Sequence, residues 1–307
     1  GAGDVNLGGG ATQLGAGRVH TCARLDSGSV RCWGDGFFGQ TGYARTAPVG
    51  DNETPASVGD VDVGGAVAEI SAGRQHTCAL LASGAVRCWG DAAFGQLGYG
   101  NTNNIGDNET PASAGDVDVG GGVVVGVRAG GGGDRDHTCV LMDNMAVRCW
   151  GDASTGQLGY GNTNTIGDDE LPSTVGDVDV GGPVVKLVTG MFHSCVLLAS
   201  GSVRCWGDGQ MGQLGYGNTN HIGDNETPAS AGDVDVGGTV VALTAGGRHT
   251  CALLEGGAVR CWGQGQFGEL GYGNTNNIGD NETPASAGDV DVGGAVVQIS
   301  ASERHTC

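Results

Sequence analysis

The segment HTCARLDSGSVRCWG at residues 20–34 returns as HTCALLASGAVRCWG at 76–90 and HTCVLMDNMAVRCWG at 137–151. It returns again as HSCVLLASGSVRCWG at 193–207 and HTCALLEGGAVRCWG at 249–263, and a sixth copy runs from His305 to Cys307. Successive copies start 56, 61, 56, 56 and 56 residues apart. The long interval comes from extra Gly and Asp residues around Gly130 to Asp136, an insertion suited to a loop at the edge of a repeat. Units of this size cannot bury an apolar face alone and must stack on their neighbours. The repeat also accounts for the glycines. The chain holds 64 Gly and 7 Pro in 307 residues, close to a low-complexity composition, but they recur by period. The units run approximately 2–57, 58–113, 114–174, 175–230 and 231–286, with a partial unit 287–307, all in one repeat domain.

Each unit reads as short strands joined by turns. Cys22 and Cys32 are symmetric about Ser27, so a loop of Asp26, Ser27 and Gly28 sets the two cysteines opposite each other in a hairpin. Gly28, Gly84, Gly201 and Gly257 supply the left-handed residue of that loop; Met145 stands there in the third unit, where Asn144 is expected to carry the positive φ. A further strand is expected over 67–71 and over 240–244. GDVDVGG reads as an outer strand or a Gly-bounded loop, and no segment has a helical period. The expectation is an all-β protein with three or four strands per unit, arranged as a β-propeller. An open superhelix or β-solenoid is the competing arrangement.

The string GxxHTCxLxxxGxVxCWGxxxxGQLGYGNT resembles the regulator-of-chromosome-condensation repeat. His76, Leu80, Gly84, Val86, Trp89, Gly90, Gly95, Gln96, Leu97, Gly98 and Pro111 carry the match, with their counterparts over nearly the whole chain. The resemblance implies blades of a seven-bladed β-propeller. Its members include a nucleotide-exchange factor that binds nucleosomes and a protein inhibitor of β-lactamases, so it implies protein partners without fixing one. The cysteine pairs and the long NTNNIGDNETPASAGDVDVGG passage depart from the eukaryotic pattern and look like secreted repeat proteins of bacteria. Five units and a partial sixth would then belong to a seven-bladed ring or to a longer or polymeric array. Residues 2–22 align with 287–307 at an offset of 285, leaving one terminal strand over, so either further units lie beyond the ends or the surplus strand and Cys307 pair with a neighbouring molecule, a head-to-tail self-association that would build filaments.

Charge and cysteine narrow the setting. Lys plus Arg is 14 and Asp plus Glu is 34, for a net charge of −20, which argues against nucleic acid and anionic membrane surfaces. No apolar run is long enough for membrane insertion. Ten of eleven cysteines fall in C-x9-C pairs: Cys22 with Cys32, Cys78 with Cys88, Cys139 with Cys149, Cys195 with Cys205 and Cys251 with Cys261. Zinc would need a tighter knuckle, so a disulfide per hairpin is expected, a buried reduced pair being the alternative. That implies an extracellular or cell-surface setting, or the periplasm. Cys307 has no partner in this pattern.

No unit holds a unique Ser, His and Asp set, so no catalytic residue and no enzyme activity is expected. His20, His76, His137, His193, His249 and His305 share one position and are read as core histidines bonded to backbone rather than as ligands. His221 is an off-pattern loop residue. Arg31 and Trp33 and their counterparts are read as packing between blades rather than a cation–π or carbohydrate ladder. The pairs Asp60/Asp62, Asp116/Asp118, Asp177/Asp179, Asp233/Asp235 and Asp289/Asp291 would share one side of a strand. With Asp51/Glu53, Asp107/Glu109, Asp168/Glu170, Asp224/Glu226 and Asp280/Glu282 they offer oxygen ligands for Ca²⁺, the one cofactor considered, though a solvated acidic rim is the favoured reading. Asn52, Asn108, Asn225 and Asn281 sit in Asn-Glu-Thr, a glycan acceptor. Variation between units is concentrated in one loop: Gly36-Phe37-Phe38, Ala92-Ala93-Phe94, Ala153-Ser154-Thr155, Gly209-Gln210-Met211 and Gly265-Gln266-Phe267. The expected function is a non-catalytic secreted or surface propeller with a structural, adhesive or filament-forming role. The alternative is a protein-binding module, or an inhibitor of a secreted enzyme, acting through that variable rim.

Overall fold

The structure is a computed structural model that describes residues 3–132 and 135–307; part of the insertion before His137 lies outside the described residues. It is all-β in its sheets. Three-stranded antiparallel sheets follow one another in chain order, five in all among the described residues. They are β1 (Ala11–Ala16), β2 (His20–Leu25) and β3 (Val30–Gly34); β4 (Val67–Ala72), β5 (His76–Leu81) and β6 (Val86–Gly90); and β7 (Val124–Gly130), β8 (His137–Met142) and β9 (Val147–Gly151). The last two are β10 (Val184–Thr189), β11 (His193–Leu198) and β12 (Val203–Gly207), then β13 (Val240–Ala245), β14 (His249–Leu254) and β15 (Val259–Gly263). Contacts divide the chain into two compact units, 1–129 with 165–176 and 130–164 with 177–307.

The hairpin register follows from the cysteine spacing. Cys22 lies opposite Cys32, with His20 opposite Gly34, and the same pairing recurs in the other four hairpins. All five expected bridges are present: Cys22 to Cys32, Cys78 to Cys88, Cys139 to Cys149, Cys195 to Cys205 and Cys251 to Cys261. Each of these cysteines is buried, whereas Cys307 is free and exposed.

The second cysteine of each hairpin does more than the sequence reading assigns to it. That reading gives Cys88, Cys149 and Cys205 one role, as halves of disulfides. In the fold their backbone N–H groups also donate to tyrosine hydroxyls: Cys88 to Tyr99 at 3.3 Å, Cys149 to Tyr160 at 3.1 Å and Cys205 to Tyr216 at 3.2 Å. Cys32 and Cys261 do the same to Tyr43 and Tyr272 at 3.2 Å. The physical reason is an edge strand: the third strand of each sheet pairs on one side only, so its outward N–H needs an acceptor. The hydroxyl is passed on, Tyr99 donating to Gly115 O at 3.1 Å and Tyr216 to Gly232 O at 3.2 Å. Burial pushes Tyr99, Tyr160 and Tyr216 up to about 12, against the lowering effect of those cysteine N–H groups, and the phenols stay neutral.

The turns need one left-handed residue: Gly28, Gly84, Gly201 and Gly257 sit at φ 83° to 88°. In the third hairpin Met145 itself takes that place, at φ 66°, not Asn144. The side chain of Asn144 is used instead to accept the Ala146 N–H, at 3.0 Å. The turn geometry therefore overrides the residue preference, and a methionine carries the strain.

GDVDVGG is a loop, not an outer strand. Val61 donates its N–H to Val30 O at 2.8 Å and Val117 to Val86 O at 2.8 Å, one bond each rather than a ladder. A blade therefore has three strands. Single-turn helices such as Pro55–Val58 and Pro111–Ala114 precede these loops, each with proline in its first turn, where the missing N–H costs nothing. The first strands β1, β4, β10 and β13 carry a β-bulge, between Ala11/Gln13, Val67/Glu69, Val184/Lys186 and Val240/Ala242, which turns the extra residue outward. The core is built of Val, Leu and Ile from the strands and loops, the disulfides, and Trp89, Trp150, Trp206 and Trp262 at 0% exposure.

Two outcomes test this description. Under native conditions a phosphine reductant leaves all five disulfides intact while Cys307, which is exposed, alkylates at once; timed alkylation with mass spectrometry checks it. Met145→Gly raises the unfolding free energy by about 1 kcal/mol, read from a urea midpoint, because it removes the cost of a left-handed methionine.

Candidate functional site

The seams between blades are built from repeated polar contacts. His20 Nε2 meets the hydroxyl of Thr77, one blade on, at 2.7 Å; His137 meets Ser194 at 3.0 Å and His193 meets Thr250 at 2.9 Å. The hydroxyl of Thr77 donates onward to Gln40 O at 3.1 Å, and Trp89 Nε1 donates to the same oxygen at 3.0 Å. Ser194 and Trp206 repeat this pair of bonds on Gln157 O. His20, His137, His193 and His249 thus bond side-chain hydroxyls of the next repeat, a partner the core reading does not foresee, whereas His305 is exposed and does not fit the core expectation. The glycine three residues before His193 is needed for a close approach: a methyl group on Gly190 would overlap the imidazole and the main chain of Gly246. Trp89, Trp150, Trp206 and Trp262 are fully buried, in keeping with a packing role.

The arginine of VRCWG stitches two GDVDVGG loops. Arg87 Nη1 donates to Val63 O in the preceding loop at 2.6 Å, and its Nε donates to Asp116 in the following one at 2.9 Å. Arg31–Asp60, Arg148–Asp177, Arg204–Asp233 and Arg260–Asp289 repeat the ion pair at 2.6 to 2.9 Å. The second aspartate of each pair turns elsewhere: Asp62 accepts from Thr110, Asp118 from Ser173, Asp179 from Thr227 and Asp235 from Thr283. Asp289 pairs with Arg260, and Asp291 accepts the Gly293 N–H. The two carboxylates of a pair therefore serve different partners on a loop instead of facing one point along a strand. Among the described residues, three acidic side chains converge only at Asp168, Asp169 and Glu170, within 4.8 Å. Burial, then a hydrogen bond with Asp169, pushes Glu170 up to about 7. Asn52, Asn108, Asn225 and Asn281 are all exposed.

The variable loop follows the third strand of each blade and has a fixed frame with a free tip. Asp35 accepts the Phe37 N–H at 3.1 Å, Asp91 that of Ala93 at 3.2 Å and Asp208 that of Gln210 at 3.0 Å. Two residues past the third variable position, Gln40 Oε1 accepts the Phe38 N–H, Gln96 that of Phe94, Gln157 that of Thr155 and Gln213 that of Met211, at 2.8 to 2.9 Å. Glu269 does the same for Phe267 at 2.6 Å. The first variable residue of each triplet is buried, and the middle one (Phe37, Ala93, Ser154, Gln210 or Gln266) is exposed. Phe37 is 67% exposed and Phe267 is 55% exposed. Closely similar backbone clamps thus present unlike side chains, the fifth loop substituting Glu269 for Gln and Gln264 for Asp.

A second variable element escapes the sequence reading. The two residues between Gly and His of the G-x-x-H turn are Arg18-Val19, Arg74-Gln75, Met191-Phe192 and Gly247-Arg248. They lie at the same end of the blade, because Asp35 N bonds Val19 O, Asp91 N bonds Gln75 O, Asp208 N bonds Phe192 O and Gln264 N bonds Arg248 O, at 2.8 to 2.9 Å. The signal is present as two free positions inside an otherwise fixed string.

Comparison with known proteins places these blades. The pattern described as the regulator of chromosome condensation (RCC1) repeat matches residues 11–40, 67–96, 184–213 and 240–269, and a second RCC1 repeat pattern matches 200–253. The E3 ubiquitin-protein ligase HERC2 of Homo sapiens is 30% identical over 263 residues, which is 86% of this chain and 5% of that protein. The ultraviolet-B receptor UVR8 of Arabidopsis thaliana is 31% identical over 238 residues, 77% of this chain and 49% of that one. The chain therefore spans half or less of these relatives. Among solved structures, human WBSCR16 matches with a TM-score of 0.74 at 22% identity, over 96% of this chain and 71% of that one. Prp20p of Saccharomyces cerevisiae, whose structure was described with its binding to Gsp1p and histones, matches with a TM-score of 0.70 at 17% identity, over 96% and 67%. These likenesses establish the β-propeller fold.

The seam sets a pH dependence. Burial, then the neighbouring His249 and His137, bring His193 down from 6.5 to about 3. Burial brings His249 down to about 4, with Glu269 opposing and His305 adding. Both imidazoles stay neutral in the fold, so stability present above pH 6.5 is lost as the pH falls towards those lowered values. Glu109, Glu170 and Glu226, all raised by burial first, act in the opposite sense and favour the fold as they take up protons. The net loss is therefore expected at the acid end of the window. His193→Gln, which can still bond Thr250, flattens the fall in the urea midpoint with pH; an unchanged slope in that variant would count against the seam as its source. Since the Asp pairs are held by arginine on one side and by a hydroxyl or a backbone N–H on the other, the melting temperature is expected to be the same in millimolar Ca²⁺ as in chelator, and a rise would restore the metal reading.

Proposed function

The chain belongs to the RCC1 repeat family, and from that premise we propose that it is an extracellular, non-catalytic protein-binding propeller acting through its variable loop end. The observation that carries this is the clamped loop, in which Asp and Gln fix the backbone around the tips Phe37, Ala93, Ser154 and Gln210, and Glu269 does so beside Gln266. A rigid frame with unlike tips gives specificity without the ordering cost of a flexible loop. Prp20p, of the same fold, binds protein partners, which supports protein recognition as the class of activity. Five buried disulfides favour an oxidising compartment. No helix among the described residues is long and apolar enough to cross a membrane. The structural or filament-forming role expected from near-identical units ranks second, because identity between units is lost at the loop tips.

Site-specific photo-crosslinking tests the reading. Benzophenone side chains at Gln210 and Gln266 should trap a protein partner in the native extracellular fluid. The same probe at Ser27 and Ser200, on hairpin turns at the other end of their blades, should trap none. Trapping from the hairpin turns alone, or equally from both ends, would refute a loop-end site.

A further inference from the structure

Arginine is used in two ways in the unit formed by residues 130–164 and 177–307. Arg148, Arg204 and Arg260 are each bound to an aspartate of the next loop. Arg248 and Arg304, both just before the histidine of a G-x-x-H turn or its counterpart, are not spent in this way. The Arg248 guanidinium lies 5.0 Å over the ring of Phe192, and it makes no ion pair among the described residues. The Arg304 guanidinium lies 4.8 Å over Phe267, and its one carboxylate neighbour is the adjoining Glu303 at 3.6 Å. A guanidinium stacked on an aromatic face is held in orientation while its N–H edges stay available for a carboxylate.

The acidic groups of these loops are turned inward. Asp152 holds Ser154 and Gln157, Asp208 holds the Gln210 N–H, and Glu269 holds the Phe267 N–H. Asp136 is 1% exposed. Among the described residues of these turns, Glu303 is an exposed carboxylate. A chain of net charge −20 thus presents the half-buried Arg248 and the exposed Arg304 beside apolar surface from the exposed Phe267 and the half-buried Met191.

We propose that this strip receives an extended acidic segment of a partner protein. Its carboxylates would meet the N–H edges of Arg248 and Arg304, and its apolar side chains would lie on Phe267 and Met191. The proposal rests on the loop-end reading above and gives the partner a chemistry: alternating carboxylate and aliphatic residues, matched by charge to the two arginines.

The probe is a fluorescein-labelled decapeptide of alternating glutamate and valine, read by anisotropy against the full chain at low salt. Saturable binding is expected, weakened about tenfold by Arg248→Gln and more by the double variant with Arg304→Gln, as for loss of charge-assisted hydrogen bonds. Arg248→Lys keeps the charge but not the planar fork, and its affinity should fall between those of the parent chain and Arg248→Gln. Urea midpoints and intact disulfides verify that each variant is folded. The idea is overturned by absence of saturable binding at millimolar chain, by equal binding of the glutamine–valine peptide or of decathymidylate, or by full affinity in Arg248→Gln. Peptide binding without trapping at Gln210 or Gln266 would sink the wider reading and leave this strip standing; trapping without peptide binding would do the reverse.

Discussion

A single buried carbonyl ties one blade to the next at two of the seams, those of Gln40 and Gln157. Gln40 O accepts from both the Thr77 hydroxyl and the Trp89 indole, and both donors come from the next blade. An unpaired donor or acceptor at such a place costs about 1–3 kcal/mol, which favours the three groups being met together. The indole fixes the separation of the sheets, and the hydroxyl also receives His20, which fills the space left by a glycine at the turn. Apolar packing between sheets supplies the driving force, whereas this polar cluster sets the angle and offset at which sheets may stack. Blades that share the cluster can stack in only one register.

With the seam fixed, both ends of a blade are released from structural work, but to different degrees. At the hairpin end the turn is short and its chemistry is dictated by φ. At the other end, the loops are clamped through backbone N–H groups and carbonyls, so side-chain identity is left free. That division explains how one framework can carry Phe37 at one tip and Gln210 at another without altering the clamp.

Much of this is legible in the sequence, and the reasons are specific. Cys22 and Cys32 yield strand pairing, turn length and disulfide at once, because a symmetric pair about a glycine turn admits one register. The variable loop can be read because its flanks repeat. Other features need three dimensions. Met145 escapes because residue preference points to Asn144, while the fixed hairpin geometry decides which position is left-handed. Asp60 and Asp62 look like a ligand pair because a spacing of two reads as strand; in the fold the backbone there is a loop, and Arg31 and Thr110 claim them separately. The tyrosine caps on Cys88, Cys149 and Cys205 are hidden for a similar reason: nothing in the spacing says that the chain turns back to bring a phenol 11 residues on against the same strand. The histidine partners are equally out of reach, since Thr77 lies 57 residues away from His20 and in another sheet.

The burial of the disulfides has a bearing on how the chain is made. Each bridge closes a loop within a single hairpin, so two thiols meet by a search over about ten residues, which takes well under a microsecond. Once a neighbouring blade docks, its threonine covers one sulfur, as Thr77 does at 3.8 Å from Cys22, and oxidants lose access. Oxidation therefore has to come before stacking, hairpin by hairpin as the polypeptide emerges. Eleven cysteines that could scramble in very many ways are sorted by timing and proximity, and assembly of the blades then seals the correct set.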